Sequence, residues 1–346
     1  MQTYLKIFLS ITGAFGILHV LSLFIFMVNP QFFYFRAWEY FTDLVYTGQV
    51  PPVWNGTEWE DLTRNHFFYY QASRHTTVTT DGDGFRITAK QPAARYPVLM
   101  TGDSNIFGSG LSDQETLPWQ LSEQLGIPVF NGSRSSLGNV LKRQELQQVR
   151  LVIECLIERN LSNSSNPANQ TMTTTDGYQP ITRHDKGYLE ILTNIPVNRY
   201  SLPHRATALF KRFQADWKVF RKGGAEPYSI MRYTLHPEEL TRDVAQVVAR
   251  QATLQQMGIA YIFVPIPSKQ RLYADNLDEF TREYTNRFID QLRKRDITTI
   301  DLVTPMLAHK DEGLFFRHDT HWNEKGAALA AQVIAREVRT VQPPLE

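Results

Sequence analysis

Short apolar runs separated by longer amphipathic stretches organise most of this 346-residue chain. Residues 97–100, 128–130, 151–156, 260–264 and 298–303 are brief and rich in Val, Ile, Leu and Phe, the pattern of buried strands. Between several of them the apolar period lengthens. Leu117, Leu121 and Leu125 share one face of a helix that begins near Asp113, and Leu240, Val244 and Val247 share one side of a helix over 238–257. An alanine-rich helix follows Glu324-Lys325-Gly326, with Asn323 placed as its N-cap. Strands alternating with helices predict an α/β fold, a doubly wound parallel sheet with helices on both faces. Residues 162–175, rich in Asn, Ser and Thr, read as a surface loop.

The first apolar run is of another kind. Residues 7–28 are interrupted only by Ser10, Thr12, His19, Ser22 and small residues, and about 20 such residues span a bilayer as a helix. The run is longer than that of a cleaved signal peptide, and neither Leu21-Ser22-Leu23-Phe24 nor Met27-Val28-Asn29-Pro30 offers a small-x-small cleavage site. Residues 1–30 are therefore expected to form an N-terminal transmembrane helix, a single-pass signal anchor in the inner (cytoplasmic) membrane. Lys6 and the amino terminus favour a cytoplasmic N-terminus, which puts the remainder in the periplasm or outside.

Residues 31–80 form an aromatic, irregular juxtamembrane segment. Phe32, Phe33, Tyr34, Phe35 and Trp38 suit either a membrane interface or packing on the domain, and Pro51-Pro52 and Asn55-Gly56 are expected to break any regular element. Residues 81–340 read as one domain with an insertion at about 162–235. Within it Leu209, Phe210, Phe213, Trp217 and Phe220 share a helical face ringed by Arg205, Lys211, Arg212, Lys218, Arg221 and Lys222. Those basic groups are either solvated or set against anionic lipid or an acidic polysaccharide.

A formal net charge of +1 argues against general nucleic-acid binding. The single cysteine, Cys155, can form no intrachain disulfide and reads as a small buried hydrophobe. No cysteine–histidine spacing suggests a metal site, and no cofactor is expected.

Two segments carry candidate chemistry. Thr101-Gly102-Asp103-Ser104-Asn105 sets a serine on the turn between the strand at 97–100 and the following helical pattern, at the sheet edge where open α/β folds place their sites. Far along the chain, Phe316-Arg317-His318-Asp319-Thr320-His321-Trp322-Asn323 precedes the last helix. A serine needs a base to become a nucleophile, and the base needs a group that fixes its tautomer. Ser104, His321 and Asp319 have those identities.

Gly102-Asp103-Ser104 with a late Asp-x-His resembles the SGNH (GDSL-type) hydrolase superfamily, whose flavodoxin-like sheet the alternating pattern also suits. Esterases of that superfamily mostly use Asp-x-x-His, whereas here His318 stands three before His321 and Asp319 two before. Asp-x-His-Trp is similar to the polysaccharide O-acetyltransferase branch, which includes the alginate O-acetyltransferases. Three further stretches resemble that branch: Asp83-Gly84-Phe85-Arg86, Glu158-Arg159-Asn160-Leu161, and the segment from Val264-Pro265-Ile266-Pro267-Ser268-Lys269 to Tyr273. The resemblance implies an oxyanion donor from the loop after the second strand. In Asn131-Gly132-Ser133-Arg134-Ser135-Ser136-Leu137-Gly138 a serine, Ser136, stands where the family's glycine is expected, which leaves the donor between Ser136 and Gly138. The third-block asparagine corresponds to Asn160, with Arg159 beside it as a substrate-binding candidate and without the esterases' preceding Gly-x.

What the resemblance implies is an extracytoplasmic O-acetyltransferase that moves an acetyl group to a polysaccharide hydroxyl through a Ser104-linked acyl-enzyme. It also implies a membrane-bound partner as acetyl donor. A carbohydrate acetyl esterase with water as acceptor, or a non-catalytic polysaccharide-binding assembly subunit, are the alternatives.

Overall fold

The computed structural model describes residues 2–28, 53–59, 73–161 and 230–341. Four strands, β3 (Val98–Gly102), β4 (Val129–Asn131), β5 (Leu151–Ile157) and β6 (Ala260–Ile266), form one sheet in the order β4-β3-β5-β6, with every neighbouring pair parallel. Successive side chains of a strand leave opposite faces, and the core divides accordingly. Val98, Met100, Ile153, Cys155, Ile262 and Val264 lie on one face against α3 (Leu117–Leu125) and α9 (Glu324–Val341). Leu99, Val152, Leu156 and Phe263 lie on the other, against α5 (Pro237–Gln256) and α7 (Glu279–Arg293). All seven residues of β5 are buried, as a strand covered on both faces requires. The doubly wound parallel sheet is thus the fold observed.

The strand expected over 298–303 contracts to a single parallel bridge between Thr299 and Phe263. Asp301 is the cause: its carboxylate accepts from the backbone N–H groups of Val303 (2.7 Å) and Thr304 (3.3 Å), so the chain turns into α8 (Val303–Ala308). The long helix expected over 238–257 forms as α5. It starts from Pro237, and Glu239 reaches back to the His236 backbone N–H at 3.0 Å.

Asn55-Gly56 does not break the chain as expected. Both residues lie within β1 (Val53–Trp59), which pairs antiparallel with β2 (Ser73–Thr79), Gly56 opposite Thr76. The β-branched run Thr76-Thr77-Val78-Thr79 favours an extended partner strand, and that pairing outweighs a local turn signal. β2 is itself fastened to the domain. Thr77 N–H donates to Ser112 Oγ (3.2 Å), Thr79 N–H donates to Asp113 Oδ1 (3.0 Å), and Val78 packs on Phe107. Residues 73–79 therefore belong to the folded body, although the sequence reads them as juxtamembrane.

At the N-terminus α1 (Gln2–Val28) forms over the expected stretch, with Leu5, Ile7, Phe8, Leu9 and Ile11 exposed. Among the described residues no helix is long and apolar enough to cross a membrane. The aromatic residues at 32–38, the loop at 162–175 and the basic amphipathic helix around 205–222 lie outside the described residues.

Cys155 is fully buried in β5, and burial first, then the charges of Asp103 and Glu154, push its thiol well above the ordinary cysteine range. Only the thiolate reacts readily. An aromatic disulfide reagent at pH 8 is therefore expected to leave the native protein unmodified for hours and to label one thiol within minutes in denaturant. Labelling of the native chain at the rate of a free cysteine would contradict this burial.

Candidate active site

The sheet order reverses between β3 and β5: from β3 the chain first steps outward to β4, then returns to lay β5 on β3's other side. In open α/β sheets such a reversal is where loops from the carboxyl ends of neighbouring strands part and ligands bind. Gly102 ends β3 directly beside Cys155, where a Cβ would run into the Cys155 carbonyl oxygen and the Ile106 side chain. Glycine lets β3 approach β5 closely enough to turn there.

Asp103 follows as the N-cap of the short helix α2 (Ser104–Phe107). One carboxylate oxygen accepts from Asn105, through its backbone N–H (2.9 Å) and its side-chain amide (3.1 Å). The other accepts from the Ile157 N–H (2.8 Å) and Asn160 Nδ2 (3.3 Å). One buried side chain thus ties the serine turn to the end of β5. Replacing Asp103 by alanine leaves several of these donors without an acceptor. The expected loss is about 2–4 kcal/mol of unfolding free energy in denaturant titration; a change below about 0.5 kcal/mol would show that the bridge is not holding the turn.

Further supports converge on α2. Asn131, at the end of β4, donates from Nδ2 to the Ile106 carbonyl (2.9 Å) and receives Ser133 through N–H and Oγ. Arg86 is buried and spreads its guanidinium over the Phe107, Gly108, Leu111 and Thr77 carbonyls and the Asp113 carboxylate. That arrangement gives the Asp-Gly-Phe-Arg stretch a physical role: its arginine holds the chain that leaves the serine helix.

The second segment arrives as a closed loop. Phe315 and Trp322 form an antiparallel bridge, Phe316 N–H donates to the His321 carbonyl (3.2 Å), and Asn323 N–H donates to the Leu314 carbonyl (3.0 Å). Asn323 then caps α9, its Oδ1 accepting from the N–H groups of Lys325 and Gly326. Trp322 is fully buried beneath the loop. His321 and Asp319 are both buried, and they meet Ser104 in one line. Ser104 Oγ is 2.6 Å from His321 Nε2, and His321 Nδ1 is 2.5 Å from Asp319 Oδ1. The same Asp319 oxygen accepts the His321 backbone N–H at 3.0 Å, which fixes the carboxylate relative to the ring.

Two cations that sequence reasoning did not single out as site residues complete the surroundings. Arg74 of β2 places Nη2 3.4 Å from Asp319 Oδ2, donates from Nε to the Gly110 carbonyl, and lies over the Phe316 ring with Cζ 3.3 Å from its centroid. Gly110, at φ 84°, is where the guanidinium passes, and a Cβ there would collide with it. Buried Lys269 of α6 (Lys269–Tyr273) donates to three carbonyls of the histidine loop. No local pattern betrays Arg74. Lys269 is visible only as part of the Pro-Ser-Lys stretch, and Asp103 through the capping preference of an aspartate before a helix.

The remaining candidates take varied places. Asn160 lies in a 3-10 turn, Glu158–Asn160, with its amide turned to Asp103, and Arg159 occupies the middle of that turn. Ser136 caps α4 (Leu137–Val140), its hydroxyl accepting from the Asn139 N–H at 3.3 Å, and Gly138 is buried within α4. The structure therefore brings Ser104, His321, Asp319 and, through Asp103, Asn160 together. It records no hydrogen bond from Ser136 or Gly138 to Ser104. Among the described residues no group of three or more His, Cys, Asp or Glu side chains is arranged to hold a metal ion.

Residues 230–346 match the family model of the SGNH hydrolase-like domain of acetyltransferase AlgX. The chain is similar to the alginate O-acetyltransferase-like branch of the SGNH superfamily. Asp319, His321 and Lys269 fall within the matched stretch, and Ser104 precedes it. A probable alginate O-acetylase AlgJ of Pseudomonas putida is 33% identical over 140 residues, covering 36% of this chain and 36% of that one. The corresponding protein of Pseudomonas aeruginosa is 30% identical over 108 residues, covering 30% and 28%. The chain thus spans about a third of the length of these curated relatives. Among solved structures, a putative lipolytic protein of the G-D-S-L family from Desulfitobacterium hafniense aligns over 69% of this chain and 97% of its own, with a TM-score of 0.37 and 12% identity.

Proposed function

We propose that this protein is an O-acetyltransferase that moves an acetyl group to a polysaccharide hydroxyl through an acetyl ester on Ser104. The observation that carries the reading is the line from Ser104 Oγ through His321 to Asp319, with links of 2.6 and 2.5 Å. Ser104 Oγ attacks the donor's acetyl carbonyl as His321 Nε2 takes its proton, and the imidazolium returns that proton to the departing group. An acceptor hydroxyl then gives its proton to His321 and attacks the acetyl-serine, and Ser104 Oγ regains a proton as it leaves. Asp319 holds Nδ1 protonated and offsets the imidazolium charge. The Ser104 backbone N–H, Asn160 and the loop after β4 are the proposed oxyanion donors.

The proposed single-pass anchor, with the domain outside the cytoplasmic membrane, rests on the apolar run of residues 7–28 in the sequence. On that side acetyl-CoA is out of reach, so a membrane-bound partner is proposed to hand over the acetyl group, and no cofactor is required. Arg159 is the candidate for contact with the glycan. Polysaccharide as acceptor rests on the alginate O-acetylases among the relatives.

The test is acetyl transfer from a chromogenic acetyl ester to candidate polysaccharides by the full chain. Acetylated glycan with the wild type and none with Ser104→Ala is the expected result. Serine-dependent ester cleavage at a rate indifferent to every glycan would make the protein an esterase. Glycan binding without any serine-dependent chemistry would make it a binding subunit.

A further inference from the structure

Lys269 is buried, and a buried ammonium is costly unless its donors are used. Its Nζ lies 2.6 Å from the Phe316 carbonyl, 2.5 Å from that of Arg317 and 3.1 Å from that of Asp319. These three oxygens belong to the six-residue loop that carries the acid and the base. With their carbonyls drawn inward to one point, 316, 317 and 319 have little freedom to rotate about their peptide planes, and the Asp319 side chain leaves the loop in a fixed direction.

Lys269 is fixed in turn. Ser268 caps α6 by accepting from the Arg271 N–H (3.3 Å), and its hydroxyl donates to Glu158 (2.7 Å). Glu158 is buried at the end of β5 and also receives Thr285 Oγ1 (2.6 Å) and the Tyr233 hydroxyl. Burial and the adjacent Glu158 charge push the Tyr233 hydroxyl far above the ordinary tyrosine range, so it stays a donor. Glu158 begins the same turn whose Asn160 meets Asp103 beside Ser104. The nucleophile and the histidine loop are thereby referenced to one rigid point, the carboxyl end of β5.

We propose that Lys269 is a positioning residue that sets the Asp319–His321 pair against Ser104 by strapping the loop's carbonyls. The kinetic part of this proposal rests on the acetyl-transfer reading above. Misplacing a reacting group by about 1 Å costs on the order of a hundredfold in rate. In the full chain, Lys269→Met is expected to lower kcat for acetyl ester turnover by about ten- to a hundredfold, with KM changed less than about threefold. Independently of any substrate, the His321 Nδ1 proton, hydrogen-bonded at 2.5 Å, is expected to resonate far downfield in the wild type. In Lys269→Met that signal is expected to shift or vanish. Lys269→Arg, which keeps the charge and several donors, should recover part of both.

A folded Lys269→Met protein with unchanged kcat and an unchanged downfield proton would overturn the proposal. Should that variant fail to fold, Lys269→Gln, too short to reach all three carbonyls, carries the same decision. The two readings fail separately. A downfield proton that depends on Lys269, in a protein that acetylates no glycan, keeps the strap and discards the transferase. Transfer with an indifferent Lys269 does the reverse.

Discussion

Ser104→Ala is expected to reduce kcat for acetyl transfer by about 10⁴- to 10⁶-fold while the protein stays folded. The alanine removes the oxygen that would hold the acetyl group. It leaves Gly102, the Asp103 cap and the His321–Asp319 hydrogen bond in place, because none of these depends on the Ser104 hydroxyl. Residual rate would come from oxyanion donors and substrate binding alone. The clearest measurement is single-turnover mass spectrometry with an acetyl ester. The wild type should gain one acetyl group, on the peptide containing Ser104, and the variant none. An acetylated variant would move the nucleophile elsewhere, and a loss below tenfold would remove covalent catalysis at this serine.

The second large effect is expected from Asp319→Asn, a fall in kcat of about 10³- to 10⁴-fold with little change in KM. The substitution keeps the size of the side chain and changes its hydrogen-bond character. Asp319 Oδ1 accepts from both His321 Nδ1 and the His321 backbone N–H. To keep the backbone bond an asparagine must leave its oxygen there, which places its amide on the side of Arg74, donor against donor. Turned the other way, the amide faces His321 Nδ1 and forces the proton onto Nε2, where it can no longer accept from Ser104. Either outcome spoils the relay. Because the acid is buried and paired, some loss of stability should accompany the rate loss, and denaturant titration separates the two. A variant within tenfold of the wild type in kcat would show that His321 needs no carboxylate.

The sequence made the sheet legible because a strand covered on both faces carries an unbroken apolar run, as in Val98-Leu99-Met100, Val129-Phe130, Leu151-Val152-Ile153 and Ile262-Phe263-Val264. It misplaced elements where one local interaction decides. The Asp301 carboxylate ends the fifth strand after one bridge, and the ladder of β1 on β2 carries Asn55-Gly56 through an extended conformation. The site divides in the same way. Ser104, Asp319 and His321 could be read because the chemistry demands those residue types and their motifs are short. Arg74 reaches Asp319 across 245 residues, and an arginine in a threonine-rich strand carries no sign of that destination. The oxyanion donors stayed ambiguous because backbone N–H groups leave no trace in residue identity, whereas the capping role of Ser136 is written in its side chain.

The sequence separation of 217 between Ser104 and His321 also imposes an order in time. A chain synthesised from its N-terminus at about 5–20 residues per second carries its serine for roughly ten seconds or more before the histidine exists. On the proposed mechanism the hydroxyl has no base throughout that interval, so the growing chain would be unable to form the acetyl ester. On the same reading the site is assembled only once the loop at 316–321 docks on Lys269. A chain stopped before residue 321 then lacks the group that would activate Ser104.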